Sequence, residues 1–278
     1  MGLYKKEKQE MRRCMEAELI IEMVKGIKEE QPRIGVRKLQ VLLQQLLRRQ
    51  GIKIGRDGLF DLLREFDMLV KMKRYRHYST DSRHIYYKHP NKIKGLVINR
   101  PNQLWVSDIT YIQVADRFYY LFLITDSCSR KIVGFCLSKS YSVKGALEAL
   151  KMALRQNKVS SGLVHHSDRG IQYCCQQYTA LLKKKNFVIS MTENSDPYEN
   201  AIAERVNGIL KGELLQLKYN NELEAMKSVM RAIKIYNTKR PHMSIGLLTP
   251  DKAHQQENPI NKLWKPKQYI KSRGNVSI

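Results

Sequence analysis

Leu104-Trp105-Val106-Ser107-Asp108-Ile109-Thr110-Tyr111-Ile112-Gln113-Val114 is an apolar, β-branched and aromatic run that carries one carboxylate. Its composition predicts a strand. A carboxylate inside such a strand is costly unless something charged meets it. Residues 118–127 (FYYLFLITDS) repeat the pattern after Ala115-Asp116-Arg117, and residues 131–138 (KIVGFCLS) repeat it again after a polar turn. Three strands with such short connections predict an antiparallel meander. Further along come a helix at 142–156, placed for capping by Ser142, a strand at 162–167, a helix at 173–185 and a strand at 187–191. A polar loop at 192–199, a helix from about 200 and a last helix over roughly 221–239 complete the series. The order β-β-β-α-β-α-β-α predicts an α/β domain over 101–255: a mixed five-stranded sheet with flanking helices.

Before the first strand the pattern is helical. In residues 9–30, Met15, Leu19, Met23 and Ile27 recur every four positions, which predicts one amphipathic helix. Residues 36–49 and 56–67 predict two more, separated by the turn Gly51-Ile52-Lys53-Ile54-Gly55. Asp57 falls in a first turn, where the helix dipole favours an acid. Gly55 is a weaker N-cap than Ser or Asn. Region 1–70 thus has the outline of an all-α helix-turn-helix domain, decorated by Arg37, Lys38, Arg56 and Arg64. An ordinary helical hairpin with solvated charges has the same spacing. Residues 71–100 hold nine Lys or Arg and one acid, with tyrosines interleaved. They predict a basic linker in which Lys71, Lys73, Arg74 and Arg76 follow a phosphate backbone. The tail, 256–278, is basic and expected to be loose.

Fifty Lys and Arg against 26 Asp and Glu give the 278-residue chain a net charge of +24. That excess repels itself unless a polyanion neutralises it, and nucleic acid is the usual one. The five cysteines form no Cys-x-x-Cys pair and are odd in number, which argues against a disulfide framework or a zinc ribbon. No secretory signal and no membrane span is visible, so a cytoplasmic, nucleoid-associated protein is expected.

Two further acids join Asp108. Asp168, in His165-His166-Ser167-Asp168-Arg169-Gly170, follows the fourth predicted strand at its carboxyl end, where α/β sites collect. Glu204 lies on the helix that starts near 200, with 35 residues between it and Asp168. Three carboxylates from two strands and a helix can hold a pair of hard divalent cations, which suits displacement at a phosphodiester. Asp126 is a fourth acid at a strand end, either bracing the core or lying near the other three.

The words WVSDITYI (105–112), HHSDRGIQY (165–173), DPYENAIAERVNGILKGELL (196–215) and YNTKRPHMSIGLLTP (236–250), with the 35-residue spacing, resemble the D-D-E transposases and retroviral integrases. More narrowly, they resemble the second-frame product of the bacterial insertion-sequence "three" family, and the helices up to about Leu69 resemble the region that precedes its catalytic domain. The resemblance covers nearly the whole chain. It implies a ribonuclease H-like catalytic fold and a polynucleotidyl transferase that cuts and joins DNA at transposon ends. Asp108, Asp168 and Glu204 would be its catalytic and metal-binding residues, with two Mg²⁺ ions, or Mn²⁺ as substitute. It places a basic residue seven positions after the glutamate, here Lys211. On a helix that is close to two turns, so Lys211 shares the face of Glu204 and is expected to grip a phosphate beside the scissile bond. Asn200, Arg205, Asn207, Arg169 and His166 are weaker candidates for DNA contact, or for bracing the site.

Expected partners are double-stranded DNA, as terminal repeats and target, and further copies of the chain. The upstream-frame product, joined by frameshifting, is a third, which would make this chain the downstream half of the working enzyme. Rival readings are a non-catalytic DNA-binding regulator and a ribonuclease H-like nuclease acting on hybrids.

Overall fold

The computed structural model describes residues 2–70, 84–157, 159–193, 200–256 and 260. Lys71, Lys73, Arg74, Arg76 and nearly all of the basic tail lie outside these residues.

The meander forms as expected. β1 (Leu104–Val114) and β2 (Arg117–Asp126) pair antiparallel from Trp105↔Asp126 to Val114↔Arg117, and β2 pairs antiparallel with β3 (Ile132–Ser138). The chain then crosses over through α4 (Val143–Gln156) to β4 (Val164–Ser167), which runs parallel to β1 but pairs only with Leu104–Val106. β5 (Val188–Met191) lies parallel to β4, giving the order β3-β2-β1-β4-β5. A two-residue strand, β6 (Lys218–Tyr219), pairs parallel with β1 at Gln113–Val114 and raises the expected five strands to six. Two residues show no alternation, so the sequence pattern held no sign of it. Between the β4 and β6 pairings, residues 107–112 of β1 have no strand along that edge among the described residues.

Each face of the sheet is covered, as its strand composition requires. Trp105, Phe122, Ile124 and Val133 pack under α4 and the following helices, α5 (Ile171–Cys174) and α6 (Gln176–Lys184). Ile112, Val114, Leu121 and Leu123 pack under α7 (Ala201–Ile209) and α8 (Glu222–Thr238). Burial of each such side chain contributes roughly 1.5–3 kcal/mol. Two glycines let α4 approach closely: a Cβ on Gly134 would lie 2.2 Å from the Ala149 carbonyl oxygen, and one on Gly145 would lie 2.3 Å from the Phe122 ring.

Several local expectations need correction. The helix expected at 173–185 is two pieces, because Cys175 adopts an extended backbone (ψ 150°) between α5 and α6. Ser142 occupies the N-cap of α4 without capping it, and its hydroxyl lies 2.9 Å from that of Ser140. α7 gives way to a π-helical turn at Leu210–Leu214.

The N-terminal region contains α1 (Gly2–Glu30), α2 (Val36–Arg49) and α3 (Arg56–Glu65). Its core is Ile20, Ile21, Val24, Leu39, Leu43, Leu47, Leu59 and Leu63. Met15, expected on the buried stripe, is exposed, because only the second half of α1 packs against α2 and α3. The helical region is joined to the sheet domain by polar contacts. Arg33 donates to the Leu215 carbonyl, Lys239 Nζ lies 2.6 Å from Glu30 Oε1, and Lys38 Nζ lies 2.7 Å from Glu213 Oε1.

Candidate active site

The three acids converge where β1 parts from β4. Asp108 lies two residues beyond the last β1–β4 pair, on the free stretch of β1, and Asp168 directly follows β4. Parallel pairing brings both to the same end of the two strands, in the crevice such sheets use for ligands. Burial and then the charge of Asp168 push the Asp108 carboxyl up to about 7, opposed by hydrogen bonds from the Ile109 backbone and from Asn207; Glu204 adds a smaller upward push. Asn207 Nδ2 donates to Asp108 Oδ2 at 2.6 Å, tying α7 to β1. Asp168 Oδ1 accepts from the Gly170 N–H at 3.0 Å, which fixes the turn into α5.

Glu204 is exposed in the first turn of α7. Among the described residues no three His, Cys, Asp or Glu side chains are drawn into one metal-holding group. The pair Asp108 and Asp168 nonetheless fits a cation. Two carboxylates, one of them hindered from ionising by burial and by the other, supply hard oxygen donors and a local excess of negative charge.

Lys211 sits just past α7 in the π-turn. Its Nζ lies 3.2 Å from Thr110 Oγ1 and 4.1 Å from the centroid of the Tyr111 ring, along the free edge of β1. Burial lowers its pKa and the charge of Asp108 raises it, with burial prevailing. Asn200 is buried and donates from Nδ2 to the Ser107 carbonyl at 3.1 Å, so it braces the start of α7 against β1. Arg205 is exposed and Arg169 half-buried.

Some expected contacts are overturned. His166 is fully buried, its Nδ1 2.8 Å from Ser190 Oγ, and an imidazole so enclosed cannot reach a phosphate. His165 lies 2.8 Å from Ser107 Oγ and 2.9 Å from the Tyr178 hydroxyl; burial, then the neighbouring His166, hold its pKa down to about 3. It is a neutral strut between β4, β1 and α6. Lys38 is not an open DNA-binding cation, since it is committed to Glu213. Asp126 braces the fold: fully buried, it accepts from the Ser129 N–H and hydroxyl and from the Asn102 N–H, each at 2.7 Å. Arg37, Arg56 and Arg64 are exposed, Arg56 and Arg64 with acids beside them at 2.8 and 2.7 Å.

Two features escaped the sequence reading. Thr110 and Tyr111, next to Asp108 in its own strand, are the seat of Lys211. Glu213, nine residues after Glu204, receives Arg240 through Nε and Nη2, each at 2.8 Å, as well as Lys38. Arg240, which appeared to have no chemical role, is buried there. Proximity to Asp108 was the available signal for the first feature; nothing in the sequence signalled the second.

The fold and this carboxylate crevice define an integrase-type catalytic core. Residues 98–197 match the family described as Integrase core domain, and residues 186–250 match a second description of that name. The chain is 35% identical over 228 residues to the insertion element IS600 uncharacterized 31 kDa protein of Shigella sonnei, a match that covers 80% of this chain and 82% of that one. It is 32% identical over 222 residues to the transposase for insertion sequence element IS629 of Shigella sonnei, covering 80% and 73%. A chain of the simian T-cell lymphotropic virus intasome, solved in complex with PP2A regulatory subunit B56 gamma, is similar in fold at a TM-score of 0.50 and 18% identity, over 84% of this chain and 79% of that one. The chain belongs to the insertion-sequence transposases of the retroviral integrase superfamily.

Proposed function

We propose that this chain cleaves and joins DNA strands at the ends of its insertion sequence, with Asp108, Asp168 and Glu204 as the catalytic carboxylates. The observation that carries the reading is the meeting of Asp108 and Asp168 at the parting of β1 and β4. These two and Glu204 would hold two divalent cations, Mg²⁺ or Mn²⁺. Bound there, the ions would activate the attacking hydroxyl and stabilise the leaving oxygen.

The chain's own residues set the rest. Asn207 fixes the Asp108 carboxylate through one oxygen and leaves the other oxygen to the crevice. Asn200 anchors the first turn of α7, and so the placement of Glu204, to the β1 backbone. Lys211 presents its charge on the free edge of β1, beside Asp108, where it would hold a phosphate next to the scissile bond. Arg205, Arg169, Arg37, Arg56 and Arg64 would meet phosphates further out, with the linker cations Lys71, Lys73, Arg74 and Arg76. The same reading divides the chain into a helix-turn-helix region at 1–70, a linker at 71–100, the catalytic core at 101–255 and a tail. It has the chain working as a multimer, so that two DNA ends are held together, and with the upstream-frame product as a fusion partner.

The test is strand cleavage and joining on labelled DNA bearing the element's ends, with Mg²⁺, comparing wild type and Asp168→Asn. Activity in wild type and its loss in the variant is the expected result. Equal activity in both would overturn the carboxylate assignment, and cleavage confined to RNA–DNA hybrids would overturn the substrate.

A further inference from the structure

Four aromatic rings form a continuous row on the sheet beside the acid crevice. Phe118 meets Tyr111 edge-on with ring centroids 5.2 Å apart. Tyr111 is the register partner of Tyr120 across the β1–β2 pair, so the two stand side by side on one face. Tyr120 in turn lies 4.9 Å from Tyr141, which follows β3. Phe118 is 50% exposed and Tyr141 41% exposed, and Tyr111 and Tyr120 are half-buried. The row is therefore rooted in the sheet and open along its outer side.

Both ends of the row touch the candidate active site. At one end Lys211 lies over the Tyr111 ring, three residues along β1 from Asp108. At the other, the Tyr141 carbonyl accepts from Gln172 Nε2 at 2.9 Å, four residues after Asp168. Exposed aromatic rings interleaved with cations are what unpaired nucleobases stack on, because every base has a π face. A protein surface would bury such a row equally well. It would not explain why the row starts under the one lysine that borders the acid crevice, in a chain of net charge +24.

We propose that Phe118, Tyr111, Tyr120 and Tyr141 form a stacking shelf for unpaired bases of the DNA strand that leads into the crevice. The shelf rests on the strand-transfer reading for its substrate. It adds that the DNA is read there in single-stranded form, with Lys211 holding a backbone phosphate at its inner end.

The probe is the element's end as a duplex with a short unpaired extension carrying 2-aminopurine, compared with the same duplex made blunt. The protein is the full chain, as wild type, as Phe118→Ala with Tyr141→Ala, and as Phe118→Tyr with Tyr141→Trp. The wild type is expected to quench the fluorophore and prefer the extended duplex. The alanine pair should lose the quenching and weaken binding of the extended duplex at least about five-fold per ring, leaving the blunt duplex unchanged. The aromatic pair should restore both. Quenching unchanged in the alanine pair overturns the shelf. So does an alanine pair whose only change, by sedimentation, is a lost self-association. Ring-dependent quenching in a wild type that fails to cleave would leave the shelf standing and remove the strand-transfer reading.

Discussion

Asn207 is the residue on which the geometry of Asp108 most depends. Its 2.6 Å hydrogen bond to Oδ2 comes from α7, the helix that carries Glu204, so it ties two of the three acids together. A hydrogen bond to a charged group is worth about 1.5–3 kcal/mol. Asn207→Ala is expected to slow strand cleavage by roughly ten-fold or more with little change in DNA affinity; single-turnover cleavage beside a binding titration checks this. The acids were legible in the sequence because each lies in a short word whose neighbours declare a strand or a strand end. Asn207 was legible only as a neighbour of Glu204, with no sign of the oxygen it would meet. Lys38 and Glu213 are 175 positions apart, and each reads alone as a surface charge. Only folding shows that they neutralise one another.

Elements whose residues follow one period over many positions were legible, and elements set by a single backbone choice were not. The β1–β2–β3 meander and helices α2, α4 and α8 belong to the first kind. The break at Cys175, the π-turn and β6 belong to the second. The packing of α4 on the sheet is a third kind, written in what two positions lack. A methyl group at Gly134 would overlap the Ala149 carbonyl, a backbone atom that cannot turn aside. Overpacking of a tight core costs about 1–3 kcal/mol, so Gly134→Ala is expected to lower Tm by several degrees. Gly26, on α1, has nothing within 4 Å of a Cβ. Gly26→Ala should therefore stabilise by roughly 0.5–1 kcal/mol. Thermal melts of the two variants check both signs together.

At the scale of the whole molecule, the helical region and the sheet domain are joined through Glu213. Burial pushes its carboxyl up, but two hydrogen bonds and the charge of Arg240, with Lys38, outweigh burial and hold it below the usual carboxylate range. The stability it contributes is thus complete above its unfolded value, about 4.3, and is lost as pH falls through its lower folded value. The difference in Tm between wild type and Glu213→Gln should be constant near neutrality and shrink as pH falls below about 4.3; a difference independent of pH would show that the charge is not what joins the two parts. The surplus of cations acts over a longer range. Binding to DNA should weaken steeply with salt, and Arg37→Ala should reduce the slope of log K against log salt by roughly 0.9 if that side chain meets a phosphate. No helix among the described residues is long and apolar enough to cross a membrane.

The π-turn at Leu210–Leu214 has a consequence for which changes in length this chain can tolerate. Such a turn is an α-helix that has accepted one extra residue. Gly212, with open space around it, is the position from which that residue is most easily removed. Its deletion would let α7 run on in regular register and rotate everything after it by about 100°. Glu204, Asn207 and Lys211 precede the deletion and would keep their places. Glu213 would swing away from Arg240 and Lys38, leaving a gene that still spells every carboxylate of the crevice but encodes two halves no longer fastened together.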